Sequence, residues 1–584
     1  MDSGDLDGDG PLVKKPRLFI ARQKKMRCDE GQPCGPCRTV GLECSYGERK
    51  ATKNEVSLSM ILHKLERMDA KIDSLSVPPA PAPTPTTQPS LPAESPAGSI
   101  LSKSTPILFS ARCMLSWPAV RDLLPPSLRA VPDDYALKLE DQRPKLPRPA
   151  RSQDIDILAD FSISTVRELS NAYFTTFNLA HPVLDRKQYF QQTLGNAING
   201  GFGYDADSCI VLMTMALGTF GTRAINECQQ QRHETRARHS PVRPPTEPLG
   251  LAFYNEARKR NGFLEGDHTI QTCQFYLLAM LYHAQLIRPV DCWSMSMRAA
   301  VICLKLWYRP PEADEWTLDM YSRLYWITVM FQTVLTQELT GLAMSQIRDL
   351  EDSVPLPKFV SFPSGYPPGQ GEEDESFYHY HFLAQIAHRI FLSRVYTSLY
   401  YFVPSAHSPN AAVAQELYHQ LDQWRSQLPA QLRFDDETPI TGPDPLSEVL
   451  VVSLLRSRYF VAHYHLGRPF LYKALHHPTA LTEYDQQRCK QALRAILKYS
   501  EVTESLLGVK GCMPLAFSWC GQALGQLLLM YAFRHTPALQ DFLPEGWERW
   551  SERILQALQE LSSLSPAVAK DAEIASILYS TAPG

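Results

Sequence analysis

The chain of 584 residues has no run of eighteen apolar residues, the length a helix needs to cross the hydrocarbon of a bilayer. The apolar block ALGQLLLMYAF is too short for that and reads as a buried helix. The first twenty residues, MDSGDLDGDGPLVKKPRLFI, lack the apolar centre of a secretory signal. Period-2 alternation of the strand type and internal repeats are absent as well. So are the local signatures of catalysis. No G-x-S-x-G elbow and no H-E-x-x-H occur. His379 and His381 are two residues apart, hence on different faces of a helix, and His463 with His465 repeat that spacing. GGFGYDADS offers glycines without the strand and helix that a phosphate loop requires. These absences describe a soluble, intracellular, mainly α chain that is not an enzyme.

What is present is unevenly distributed. Net charge is −4, yet Pro11–Lys53 holds eleven Lys/Arg against four Asp/Glu, a net of +7, so the remainder carries −11. A basic terminus on an acidic body points to nucleic acid or another acidic partner for that terminus. Of thirteen cysteines, four fall in the first fifty residues: Cys28, Cys34, Cys37 and Cys44. The other nine are scattered, the pattern of reduced core thiols; Cys292 and Cys303 in DCWSMSMRAAVICLKLW read as buried helical thiols.

Composition divides the chain into five stretches. Residues 14–50 form the basic, cysteine-bearing segment. Residues 54–76 predict a helix in which Leu58, Ile61, Leu65, Met68, Ile72 and Leu75 recur at 3-4-3-4-3 spacing. That is an a/d seam of nearly three heptads, read as a short parallel coiled coil between two chains; packing of the seam on the protein's own body is the alternative. Residues 77–105 begin with VPPAPAPTPTTQPSLPAESPAG, a Pro-rich, semi-extended linker. Residues 106–360 and 376–580 are successive amphipathic helices, with polar breaks at 223–248 and 360–375.

Thiolates at C-x-x-C spacing, here Cys34-Gly-Pro-Cys37, let two sulfurs reach one metal ion, and zinc suits such soft tetrahedral ligands. Neighbouring Lys and Arg favour the thiolate. A segment this small, with almost no apolar core, would draw its folding free energy from the metal.

The stretch RQKKMRCDEGQPCGPCRTVGLEC, residues 22–44, resembles the DNA-binding domain of fungal binuclear zinc-cluster transcription factors. In that family six thiolates hold two zinc ions, and a short helix carries R-x-K-K-x-K/R-C into the major groove. The resemblance places Cys28, Cys34, Cys37 and Cys44 at the third to sixth ligand positions and Arg22, Lys24, Lys25 and Arg27 on the recognition helix. The first two ligands would fall at 18 and 21, where the chain has Leu18 and Ala21. Three accounts stay open: a mis-assigned or alternatively spliced transcript, four thiolates around a single zinc, or a segment acting by charge alone. Lys14, Lys15, Arg17, Arg49, Lys50 and Lys53 would contact phosphates, and Lys24 and Lys25 guanine edges. KKPR and RQKKMR also fit a nuclear import signal.

The resemblance continues more loosely into the body. LSNAYFTTFNLAHPVLDRKQYF at 169–190, and RLYWITVMFQTVLTQELTGLAM followed by DSVPLP at 352–357, are similar to the family's middle homology region. ELYHQLDQWRSQLPAQLRF and LRSRYFVAHYHLGRPFLY are similar to its C-terminal helices. A zinc-dependent nuclear regulator of RNA polymerase II genes is implied. It would bind CGG-type double-stranded DNA as a homodimer and engage the transcription machinery. Its all-α regulatory domain would answer to a small-molecule effector, and it would have no membrane partner. The alternative is a non-DNA-binding modulator that pairs through 58–75 with an intact zinc-cluster regulator.

Overall fold

The computed structural model describes residues 110–148, 162–233, 247–363, 375–400, 409–436 and 445–580, all within the C-terminal of the chain's two units, Ala70–Gly584. These residues are mainly α, with no strand among them. Thirteen helices have eleven residues or more. They are α1 (Ile163–Phe174), α2 (Ala206–His233), α3 (Leu251–Asn261), α4 (Ile270–Gln285), α5 (Pro289–Tyr308), α6 (Glu315–Glu338), α7 (Ser376–Val395), α8 (Ala411–Ser426), α9 (Leu454–His476), α10 (Glu483–Leu507), α11 (Ala516–Arg534), α12 (Trp547–Leu561) and α13 (Pro566–Ser580).

Helix starts follow local sequence chemistry. Ser162, Thr269 and Asp314 each accept a hydrogen bond from the backbone three residues on, at α1, α4 and α6. Thr482 and Asp485 form a reciprocal capping box at α10. The polar break expected at 223–248 begins later than its composition suggests, because α2 runs on to His233. Its first part, RAINEC, still presents Ala224 and Cys228 to the core.

α2 is long and apolar enough to cross a membrane, but most of its apolar stretch is buried within the molecule. It is a core helix whose apolar surface is already used in packing. Its approach to α1 is close enough to require glycine: a Cβ on Gly218 would sit 2.1 Å from the Leu169 carbonyl oxygen. Gly467 plays the same part where α9 meets α10, a Cβ there falling 2.3 Å from that of Ala492. ALGQLLLMYAF lies in α11 and is buried along its length.

Stretches distant in sequence share the interior. Arg112, in the 3₁₀ turn Arg112–Ser116, places Nη2 2.6 Å from Asp571 of α13 and Nη1 3.3 Å from Glu338 of α6. Tyr135 donates to the same Asp571. All three charged groups are buried, so each depends on the others for compensation. The loop after α6 is strapped down similarly. Trp326 Nε1 donates to the Pro355 carbonyl, and Asp319 accepts from the backbone of Lys358, Phe359 and Val360.

Candidate functional site

The sequence-predicted metal ligands Cys28, Cys34, Cys37 and Cys44 lie outside the described residues, as do Lys14, Lys15, Arg17, Arg22, Lys24, Lys25 and Arg27. So do the seam residues Leu58, Ile61, Leu65, Met68, Ile72 and Leu75, and the stretches 14–50, 54–76 and 77–105. What those residues can hold is read from their donor set. Four thiols suffice for one tetrahedral zinc. They do not complete six-thiolate ligation of two ions, because Leu18 and Ala21 carry no donor.

The remaining nine cysteines are all buried. Cys292, Cys489, Cys512 and Cys520 have thiols pushed up by burial, which makes them poor ligands and poor nucleophiles. No group of three or more His, Cys, Asp or Glu able to hold a metal occurs among the described residues. The histidines singled out in sequence are dispersed. His379 stacks on Phe359, with ring centroids 4.0 Å apart. His381 Nδ1 lies 3.2 Å from Gln385 Nε2, and His463 is 3.8 Å from Asp422.

The described residues do build a sizeable pocket. A cavity of about 190 Å³ lies among α6, α7, α9, α10 and α11, with Phe177 and His181 closing one side. It is larger than the roughly 150 Å³ at which an engineered apolar cavity admits benzene. Phe331, Leu392, Leu454, Leu506 and Trp519 give it an apolar wall. Its polar lining includes His181, Glu338, His388, Arg389, Arg458 and His465.

Their pairing is uneven. Glu338 is held by Arg112, Gln522 and Ser518 at 3.3, 2.7 and 3.2 Å; burial raises its carboxyl and those partners counter the rise. Arg389 reaches only neutral oxygens, Gln337 Oε1 at 3.5 Å and Ser393 Oγ at 3.3 Å, and its Nε has no partner. Arg458 donates to Gln385 Oε1 at 2.6 Å, and its Nε is likewise unpartnered. Burial pulls the Arg389 guanidinium down to about 9 and that of Arg458 to about 10. His181, 2% exposed, has no partner on either ring nitrogen, and burial depresses it to about 3. His388 Nε2–H donates to the Arg458 carbonyl at 2.9 Å, and burial holds its ring neutral.

Sequence reading passed over this cluster. Its signal was a charged side chain in a helix buried on nearly every face: α7 buries Ala384, Ile386, Ala387 and Phe391 around Arg389. Whether a carboxylate meets that arginine depends on contacts with other helices.

Comparison with known proteins bears on the N-terminal stretch. Residues 22–53 match the fungal Zn(2)-Cys(6) binuclear cluster domain. That match opens at Arg22, beyond Leu18 and Ala21. Over 47 residues the chain is 40% identical to the thiamine repressible genes regulatory protein thi1 of Schizosaccharomyces pombe, an alignment covering 7% of this chain and 6% of that relative. No solved structure matches the chain. Residues 22–53 are therefore similar to the fungal Zn(2)-Cys(6) binuclear cluster domain, whose metal is zinc.

Proposed function

We propose that the protein is a zinc-dependent, sequence-specific DNA-binding regulator of RNA polymerase II transcription. It acts in the nucleus as a homodimer on CGG-type sites. The observation that carries this is the match of residues 22–53, in which four cysteines stand beside Arg22, Lys24, Lys25 and Arg27. Zinc fixes the fold of that segment through Cys28, Cys34, Cys37 and Cys44. Lys24 and Lys25 read guanine edges, while Lys14, Lys15 and Arg17 with their neighbours neutralise phosphates. The seam Leu58–Leu75 joins two copies, the helical body governs contact with the transcription machinery, and a small molecule bound in the body sets its state.

The test is zinc content together with DNA binding of the full-length protein. One bound zinc per chain and a salt-dependent preference for CGG-containing duplexes are expected. Absence of both zinc and any sequence preference overturns the proposal. That second outcome would favour the other reading, a modulator that pairs with an intact zinc-cluster regulator, which the missing donors at Leu18 and Ala21 support.

A further inference from the structure

The most demanding electrostatic feature of the body is the pair of guanidiniums lining the central cavity. Burying an unpaired charge is costly, and native interiors normally supply a counter-ion. This protein does so elsewhere: Arg112 has Asp571 at 2.6 Å, and Arg323 has Asp319 at 2.6 Å. Arg389, 5% exposed, and Arg458 form no ion pair among the described residues. The carboxylates around them are taken. Glu338 belongs to Arg112, and Glu351, which acts on Arg389 from a distance, is paired with Arg348 at 3.0 Å.

The cavity beside these cations is built rather than incidental. Both His181 ring nitrogens and the Nε atoms of Arg389 and Arg458 are buried and have no partner, and all three residues line the same space. The rest of the lining is largely apolar and includes Phe331, Leu392 and Trp519. Such walls and a few convergent polar groups are the ordinary make-up of a small-molecule site.

We propose that this cavity binds a small organic acid, its oxyanion paired with Arg389 and Arg458 and its apolar body against Phe331, Leu392 and Trp519. The oxyanion is a carboxylate or a phosphate monoester, either of which accepts from guanidinium forks. The volume suits a remainder of about one aromatic ring. The lining comes from α6 on one side and α7, α9, α10 and α11 on the other. The bound acid therefore bridges the 106–360 and 376–580 stretches, and its presence alters how firmly they hold together. This names the chemical class of the effector in the functional proposal. Its test reads the body without DNA or zinc, so either reading can fail alone.

The experiment is thermal unfolding of the full-length protein, at constant ionic strength, against aromatic and branched aliphatic carboxylates and phosphate monoesters. Benzoate and phenyl phosphate are included, with benzyl alcohol and benzylamine as neutral and cationic controls. At least one anion is expected to raise the melting temperature by about 2 °C or more at saturation, while the controls leave it unchanged. In Arg389→Met and Arg458→Met the affinity for that anion falls about tenfold or more. Arg389→Met, without ligand, unfolds at the wild-type temperature or above it, because a buried charge with no counter-ion has been replaced by an apolar side chain. A purely structural arginine would instead lower that temperature. No response to any anion, an equal response to benzyl alcohol, or an undiminished response in both variants overturns the proposal.

Discussion

Cysteine is used in two opposite ways along this chain. Cys28, Cys34, Cys37 and Cys44 fall within seventeen residues, among basic side chains and almost no apolar ones. Cys113, Cys209, Cys273 and their six fellows are spread through the helical body and are all buried. A thiol next to cations is a thiolate and a ligand; a thiol in hydrocarbon is a small hydrophobe. On the proposed zinc reading, the two regions have different sources of folding free energy, metal coordination in one and burial in the other. They are therefore expected to fail under different insults.

Chelation gives the largest contrast. Structural zinc in small thiolate sites contributes about 10–16 kcal/mol, far more than a coreless segment can replace. Removing it with a strong chelator is expected to abolish DNA binding, with a loss of at least a hundredfold by gel shift. The main calorimetric transition of the helical body should stay within about 1 °C. A body transition that moved with the metal would break the comparison.

The reverse insult is Arg112→Ala. It leaves Asp571 buried with only Tyr135 and strands Glu338 among neutral donors. Breaking a buried pair from one side costs about 3–5 kcal/mol. Urea unfolding of the body should register that loss, while zinc per chain stays unchanged. Within the head, Lys24→Ala or Lys25→Ala is expected to cost about 1–3 kcal/mol of discrimination between CGG and mutated sites. Equal weakening on all duplexes would show that the lysine touches only phosphate.

How much of this was legible in the sequence depended on whether the cause was local. The helices were legible because their periodicity and caps are local: α4 coincides with HTIQTCQFYLLAMLYHAQL, and its cap Thr269 lies within that string. The similarity of residues 22–53 to a zinc-cluster domain was legible for the same reason, since its cysteines and basic residues are spaced within one short stretch. The cavity was not. Arg389 and Arg458 look like ordinary helical arginines in sequence, and what distinguishes them is a missing carboxylate among residues brought in from four other helices. The Arg112–Asp571 pair, 459 positions apart, was equally hidden. The end of α2 was misread because polar composition after Arg223 masked the inward-facing Ala224 and Cys228.

The smallest effect per group is that of acid on each buried ring of the body. Burial holds His181 at about 3 and His283 at about 4, and keeps His381, His388 and His465 well below the ordinary imidazole range; nearby Arg458 adds to the effect at His181, His381 and His388. These rings are neutral in the folded protein, whereas in the unfolded chain they take up protons below about 6.5. Below that pH the unfolded chain binds more protons. Stability from these groups is therefore complete above about pH 6.5 and declines as pH falls toward the folded values. From pH 6.5 to 5.5 each such ring is expected to cost about 1 kcal/mol. Urea midpoints of the body should accordingly drop steeply over that unit, and His181→Phe should remove one ring's share of the slope. The substitution suits the site, since His181 meets Phe331 edge-on at 5.0 Å with no hydrogen bond to lose. A flat profile between pH 6.5 and 5.5 would mean that these imidazoles take up protons as readily in the folded protein as in the unfolded chain, and that burial does not hold them neutral.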